Sequence, residues 1–243
     1  MDKLKPIWKF FFKYDWKLGF ALILLFGIPR FFVVLGANIS GNYQFVSIIF
    51  MIMWFTPYLL LTKKGRKDMG ISKPTNGFWL FYAFVAGILF CSVMFIATIA
   101  LYDRTIDNCF FYISRTYSIP NKDYVTFIIF ASIAMTFSPL GEELLYRGVI
   151  HSSFAGQLGE TKASRIDSLA FALTHLAHFG IVYHMGKWGF LFIPALLWVI
   201  GMYFASRLFF VCKQKSGSIL GAILCHAGYN LAMMYFIFYH IIL

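Results

Sequence analysis

What most constrains this chain is a succession of apolar runs, each about long enough to cross a bilayer. They fall at about 18–38, 43–62, 77–101, 124–150, 166–183, 188–211 and 217–242, separated by short polar or glycine-bearing loops. A spanning helix takes about 20 residues, so the chain's 243 residues hold roughly seven spans and leave no room for a separate soluble domain. Composition agrees, because only 13% of residues are charged, against about a quarter in an average globular chain. The sequence therefore predicts an all-α fold, a polytopic membrane helical bundle of about 7–8 transmembrane helices in one domain over residues 1–243.

A net charge of +11 would suit a nucleic-acid binder only if the basic residues formed a water-facing patch. They do not, and nucleic acid is excluded as a partner. Instead they alternate with the spans. Lys3 to Lys17, then Lys63, Lys64, Arg66, Lys67 and Lys73, then Lys162 and Arg165, then Arg207, Lys213 and Lys215 make fifteen of the twenty-one basic residues, all on one side of the bilayer. The other side carries Arg104, Arg115, Lys122 and Lys187, partly offset by Asp103, Asp107 and Asp123. Cytoplasmic loops collect Lys and Arg, so seven spans with the N-terminus cytoplasmic fit. A helix broken near Pro139 and Gly141 would make eight and flip the far end. Residues 1–17, with lysines among Trp8, Phe10, Phe11, Phe12 and Trp16, read as a basic amphipathic segment on the cytoplasmic face, without a signal-peptide cleavage site. The lipid bilayer is thus one partner, and the plasma membrane the expected location. Cys91, Cys109, Cys212 and Cys225 lack zinc-site spacing and read as packing residues.

Ionisable residues at membrane depth are costly and mark candidate sites. Arg30, beside Pro29 in the first span, is read as reaching an interface or a loop carbonyl. The fourth span holds Glu142 and Glu143 side by side, then Arg147. Glu143 and Arg147 are four apart and share a helical face, so they can pair. Glu142 projects about 100° away and must find a partner on another span or lose its charge to desolvation. Two further spans offer partners. His175 and His178 are three apart in the fifth, and His226 and Asn230 are one turn apart in the seventh. Counted from the cytoplasmic ends, Glu142, His175 and His226 lie about ten to twelve positions in, at roughly 15–18 Å. His178 reads as a packing or cavity histidine, and His151, His184 and His240 as interfacial. A carboxylate and a histidine can hold and deprotonate a water, while a histidine and an asparagine can donate to an oxyanion. Glu142, His175 and His226 would equally make a three-ligand zinc set with Glu143 as base. The residues leave that choice open.

Glu142-Glu143-x-x-x-Arg147, Phe171-x-x-x-His175 and His226-x-x-x-Asn230, in this order on successive spans, resemble the CPBP intramembrane proteases: the CAAX proteases and bacteriocin-processing enzymes, also called the abortive-infection family. The likeness covers about residues 124–235; the spans before it match only in character. It implies a catalytic core at 124–235, with 18–101 as peripheral spans. It implies further that Glu142 is the general base, that His175 holds the water and that His226 with Asn230 forms the oxyanion site. Glu143 and Arg147 support them. The family is often labelled metalloprotease, yet a metal-free glutamate mechanism is favoured for its CAAX members. No cofactor is therefore expected, with a divalent metal such as zinc on Glu142, His175 and His226 as the other possibility. The implied activity is an intramembrane endopeptidase acting on a membrane-associated protein or peptide. The alternative is a non-catalytic scaffold or immunity protein of the same fold. A proton-coupled transporter would call for paired broken helices, and only Pro139-x-Gly141 hints at one.

Overall fold

The computed structural model describes residues 3–119 and 123–241. Lys122 and the last residue of the run to 242 lie outside them. The apolar runs become α1 (Trp16–Ser40), α2 (Gln44–Leu60), the short polar α3 (Lys63–Asp68), α4 (Phe78–Tyr102), the short α5 (Cys109–Thr116) and α6 (Tyr124–Glu142). A π-helix at Glu143–Ile150 leads into α7 (His151–Thr174), and α8 (Phe192–Ser216) and α9 (Ile219–Phe236) follow. Among the described residues, five helical stretches are long and apolar enough to cross a membrane: Trp16–Ser40, Phe78–Tyr102, Tyr124–Ala177, Phe192–Ser216 and Ile219–Ile241. The apolar Gln44–Leu60 is shorter. The all-α polytopic bundle is as expected.

The stretch Tyr124–Ala177 is not one rod. Gly159 sits at φ 76°, ψ 161°, which glycine adopts at little cost and which breaks the helix. On a straight helix His151 and Asp167, sixteen residues apart, would be about 24 Å from each other. Their side chains meet at 2.7 Å, so the chain reverses at Gly159 and α7 supplies both the end of one span and the whole of the next. His151, expected at the interface, is instead buried in this fold-back between Asp167 and Glu160. Pro139 and Gly141 do not split the fourth span; the helix runs through them and widens into the π turn. The fifth run, expected to reach residue 183, ends its helix at Ala177. Strands β1 (Ile181–His184) and β2 (Lys187–Phe190) form an antiparallel hairpin whose turn residues, Met185 and Gly186, both have positive φ.

Small residues set the helix spacing, as they do where no hydrophobic force drives helices together. A Cβ on Gly87 of α4 would lie 1.8 Å from the Cys225 carbonyl oxygen of α9, and one on Gly228 would lie 2.1 Å from that of Phe84. Gly141 brings α6 against α2 in the same way, at the Phe50 carbonyl. The four cysteines are free and buried in this packing.

The two ends of the bundle are tied separately. At one end Leu4 pairs with Leu61, Thr75 N donates to Ser216 O at 2.9 Å, and Ile219 N donates to Gly70 O at 2.9 Å. At the other, the Tyr43 hydroxyl bonds Thr116 Oγ1 at 2.9 Å and Arg104 donates to the His240 carbonyl at 2.8 Å. The first end gathers residues 3–17, 61–77 and 213–219, and so carries the basic loops.

Candidate active site

Near mid-bundle, the fourth span places three ionisable groups in a row of full burial. Glu142, Glu143 and Arg147 each expose 0% of their surface. Charges at such depth need countercharges and aligned hydrogen bonds, and the geometry shows where each finds them. Glu143 Oε2 lies 3.2 Å from Arg147 Nε, the i,i+4 pair read from the sequence. Its Oε1 accepts from His226 Nδ1 at 2.8 Å. Arg147 also donates to Ser206 Oγ, and its guanidinium lies 4.3 Å from the centre of the Phe171 ring.

Glu142 has the partner that the sequence left open. Arg30 Nη1 of α1 sits 2.7 Å from Glu142 Oε1, and Arg30 is 1% exposed. It therefore reaches neither an interface nor a loop carbonyl. The expected snorkelling fails because α1 packs against the end of α7, where Arg30 Nη1 donates to Thr174 Oγ1 at 3.0 Å and Nη2 donates to His178 Nε2 at 3.4 Å. Phe50 of α2 covers the guanidinium from 5.2 Å. On its own helix Glu142 Oε2 accepts from Ser138 Oγ at 2.5 Å, and His226 Nε2 stands 3.8 Å away. The Arg30 contact is close in distance but is not an aligned hydrogen bond, so Oε1 has no aligned donor among the described residues.

The histidines come from two further elements. His175 opens the 3-10 turn that ends the fifth helix, and its Nδ1–H donates to the Phe171 carbonyl at 2.7 Å. That bond fixes the tautomer and leaves Nε2 as an acceptor. The ring lies 4.3 Å from Phe171 and 5.4 Å from His178. His226 of α9 stacks on Phe209 at 4.7 Å. One turn along, Asn230 Nδ2 donates to the Ala134 carbonyl of α6 at 2.8 Å.

A cavity of about 540 Å³ opens over this cluster. Arg30, Ser138, His175, His178, His226 and Asn230 all line it, so the histidines and asparagine read from the sequence converge on one space. Glu142 and Glu143 lie behind that wall, Glu142 reached past Ser138 and His226. Among the described residues no three His, Cys, Asp or Glu side chains gather at ligand spacing, and the Arg30 guanidinium faces Glu142. Sequence reasoning missed Arg30 and Ser138. The signal for the arginine was there, a full charge amid an otherwise apolar span.

A helical membrane protein with a buried carboxylate, arginine and histidine cluster beneath an internal cavity is the class that fold and site define. Residues 124–232 match the family model described as Type II CAAX prenyl endopeptidase Rce1-like, over the segment that carries the buried cluster. No curated protein and no solved structure matches the chain.

Proposed function

We propose that the protein is an intramembrane endopeptidase that hydrolyses a peptide bond in a membrane-associated protein or peptide, with Glu142 as general base. The observation that carries this reading is the state of Glu142: fully buried, charge-matched by Arg30, steadied by Ser138, and holding one oxygen without an aligned donor beside a cavity. A water there gives its proton to Glu142 as its oxygen attacks the carbonyl carbon. His175 Nε2, the ring nitrogen not tied to Phe171, holds that water. Glu143 fixes His226 through Nδ1, so Nε2 is left to donate to the carbonyl oxygen when the ring carries both protons. Asn230 keeps its second amide hydrogen for the same oxyanion. The proton on Glu142 then passes to the leaving nitrogen as the C–N bond breaks, yielding a carboxylic acid and an amine.

The family's name points to C-terminal segments of lipid-anchored proteins, and bacteriocin leaders or signalling peptides present the same chemistry. The gathering of basic loops at one end of the bundle supports a plasma-membrane protein with that end, and the N-terminus, in the cytoplasm. The test is cleavage of a membrane-bound peptide by the purified protein in vesicles, run in ¹⁸O-labelled water. The reading expects one ¹⁸O in the new carboxylate and a rate indifferent to chelator. Tight peptide binding without cleavage would replace it with the scaffold reading, and loss of activity with chelator would replace the metal-free mechanism.

A further inference from the structure

The site is sealed toward one end of the bundle and open toward the other. On the side of the basic loops, residues 141–154 are buried without interruption. Leu145, Tyr146, Val149 and Ile150 are each at 0% exposure. Met69 presses on Gly148 so closely that a Cβ there would meet its methyl at 2.2 Å, and Lys213 Nζ donates to the Arg147 carbonyl at 2.6 Å. On the opposite side the cavity runs up to the turn between α1 and α2, where its wall includes the exposed Ser40, Asn42 and Gln44. Arg30 lies ten residues below Ser40 on α1, so the cavity is about 15 Å deep from that rim.

Charge distinguishes the two faces as well. Among the described residues, Arg30 is the one Asp, Glu, Lys or Arg side chain in the cavity wall, and Glu142 already matches it. A charged substrate side chain would lose its hydration there and find no countercharge. Serine, asparagine, glutamine and tyrosine at the rim can satisfy a peptide backbone instead.

We infer that the substrate segment reaches the site from the face opposite the basic loops, the extracytoplasmic face, as an uncharged stretch of polypeptide. This rests on the proteolytic reading and on the orientation given with it.

The test separates access from catalysis. Single substitutions Asn42→Cys at the rim, Asn230→Cys on the cavity wall and Lys64→Cys on the exposed face of α3 are labelled in intact cells with a membrane-impermeant maleimide; the native cysteines are buried and give the background. Asn42→Cys and Asn230→Cys should label in intact cells, and Lys64→Cys only after permeabilisation. Labelling of Lys64→Cys in intact cells with Asn42→Cys protected would reverse the assignment. Labelling of Asn230→Cys from the same side as Lys64→Cys would refute the open end itself. In vesicles, a bulky maleimide at Asn42→Cys should slow cleavage at least tenfold while the same group at Lys64→Cys leaves it unchanged. A lysine or aspartate placed at the centre of the cleaved segment should slow it at least tenfold, and equal rates would overturn the uncharged specificity. If no peptide is cleaved at all, the labelling pattern still decides access, and the proteolytic reading alone falls.

Discussion

The segment that matches the protease family, residues 124–232, and the spans before it contribute to the site in different ways. The matched segment supplies Glu142, Glu143, Arg147, His175, His226 and Asn230, and its charges are largely met within itself, as in the Glu143 contacts to Arg147 and His226. Glu142 is the exception. Its countercharge comes from α1, in a part of the chain where sequence shows only generic membrane character. A motif can thus name the reacting residues while the electrostatics that make one of them tenable at membrane depth come from outside it.

Replacing Arg30 breaks this division most severely. Arg30→Leu leaves Glu142 buried without its partner, which costs about 3–5 kcal/mol of stability for a buried pair cut on one side. Thermal unfolding in detergent should show a clear drop, and cleavage should fall about a hundredfold. The double variant Arg30→Leu with Glu142→Gln should regain most of the stability and none of the activity; simple additivity of the two losses would mean that the pair is not coupled. A milder test bears on packing. Gly228→Val places side-chain atoms on the Phe84 carbonyl at the α4–α9 crossing and should destabilise by roughly 1–3 kcal/mol, with the protein still folded and cleavage per folded molecule little changed. The smallest effect is expected at the N-terminal segment. Tyr14 donates to the Val149 carbonyl at 3.1 Å, and burial pushes its phenol up, keeping it a donor. Tyr14→Phe should cost about 1 kcal/mol and leave cleavage unaltered.

Local relations were legible in the sequence, and relations across the bundle were not. Glu143 and Arg147 pair as their four-residue spacing requires, because helix geometry alone places them together. Glu142 is buried at depth as its span requires, yet nothing in the residues fixes how α1 is rotated, so Arg30 read as a snorkelling residue. The reversal between the fourth and fifth spans followed from the separate runs at 124–150 and 166–183, and the polar run from Gly156 to Lys162 marks its turn. What did not follow is that it carries His151 from an expected interface into contact with Asp167 and Glu160. The hairpin at 181–190 was lost because its apolar residues extend a membrane-like run, while Met185-Gly186 between short β-compatible stretches is the turn cue. Depth along the spans was legible as well: Glu142, His175 and His226 count to one level, and His226 Nε2 lies 3.8 Å from Glu142 while His175 lines the same cavity as His226.

The most direct measurement is single-turnover cleavage of a membrane-bound peptide by Glu142→Gln in vesicles, alongside its thermal unfolding. Glutamine keeps the shape of the side chain and its contact with Ser138 while removing the base. The account predicts a rate about 10²–10⁴-fold below that of the unaltered protein, the range expected for loss of a general base, with peptide binding retained. Cleavage at an unchanged rate by a folded Glu142→Gln protein would contradict it.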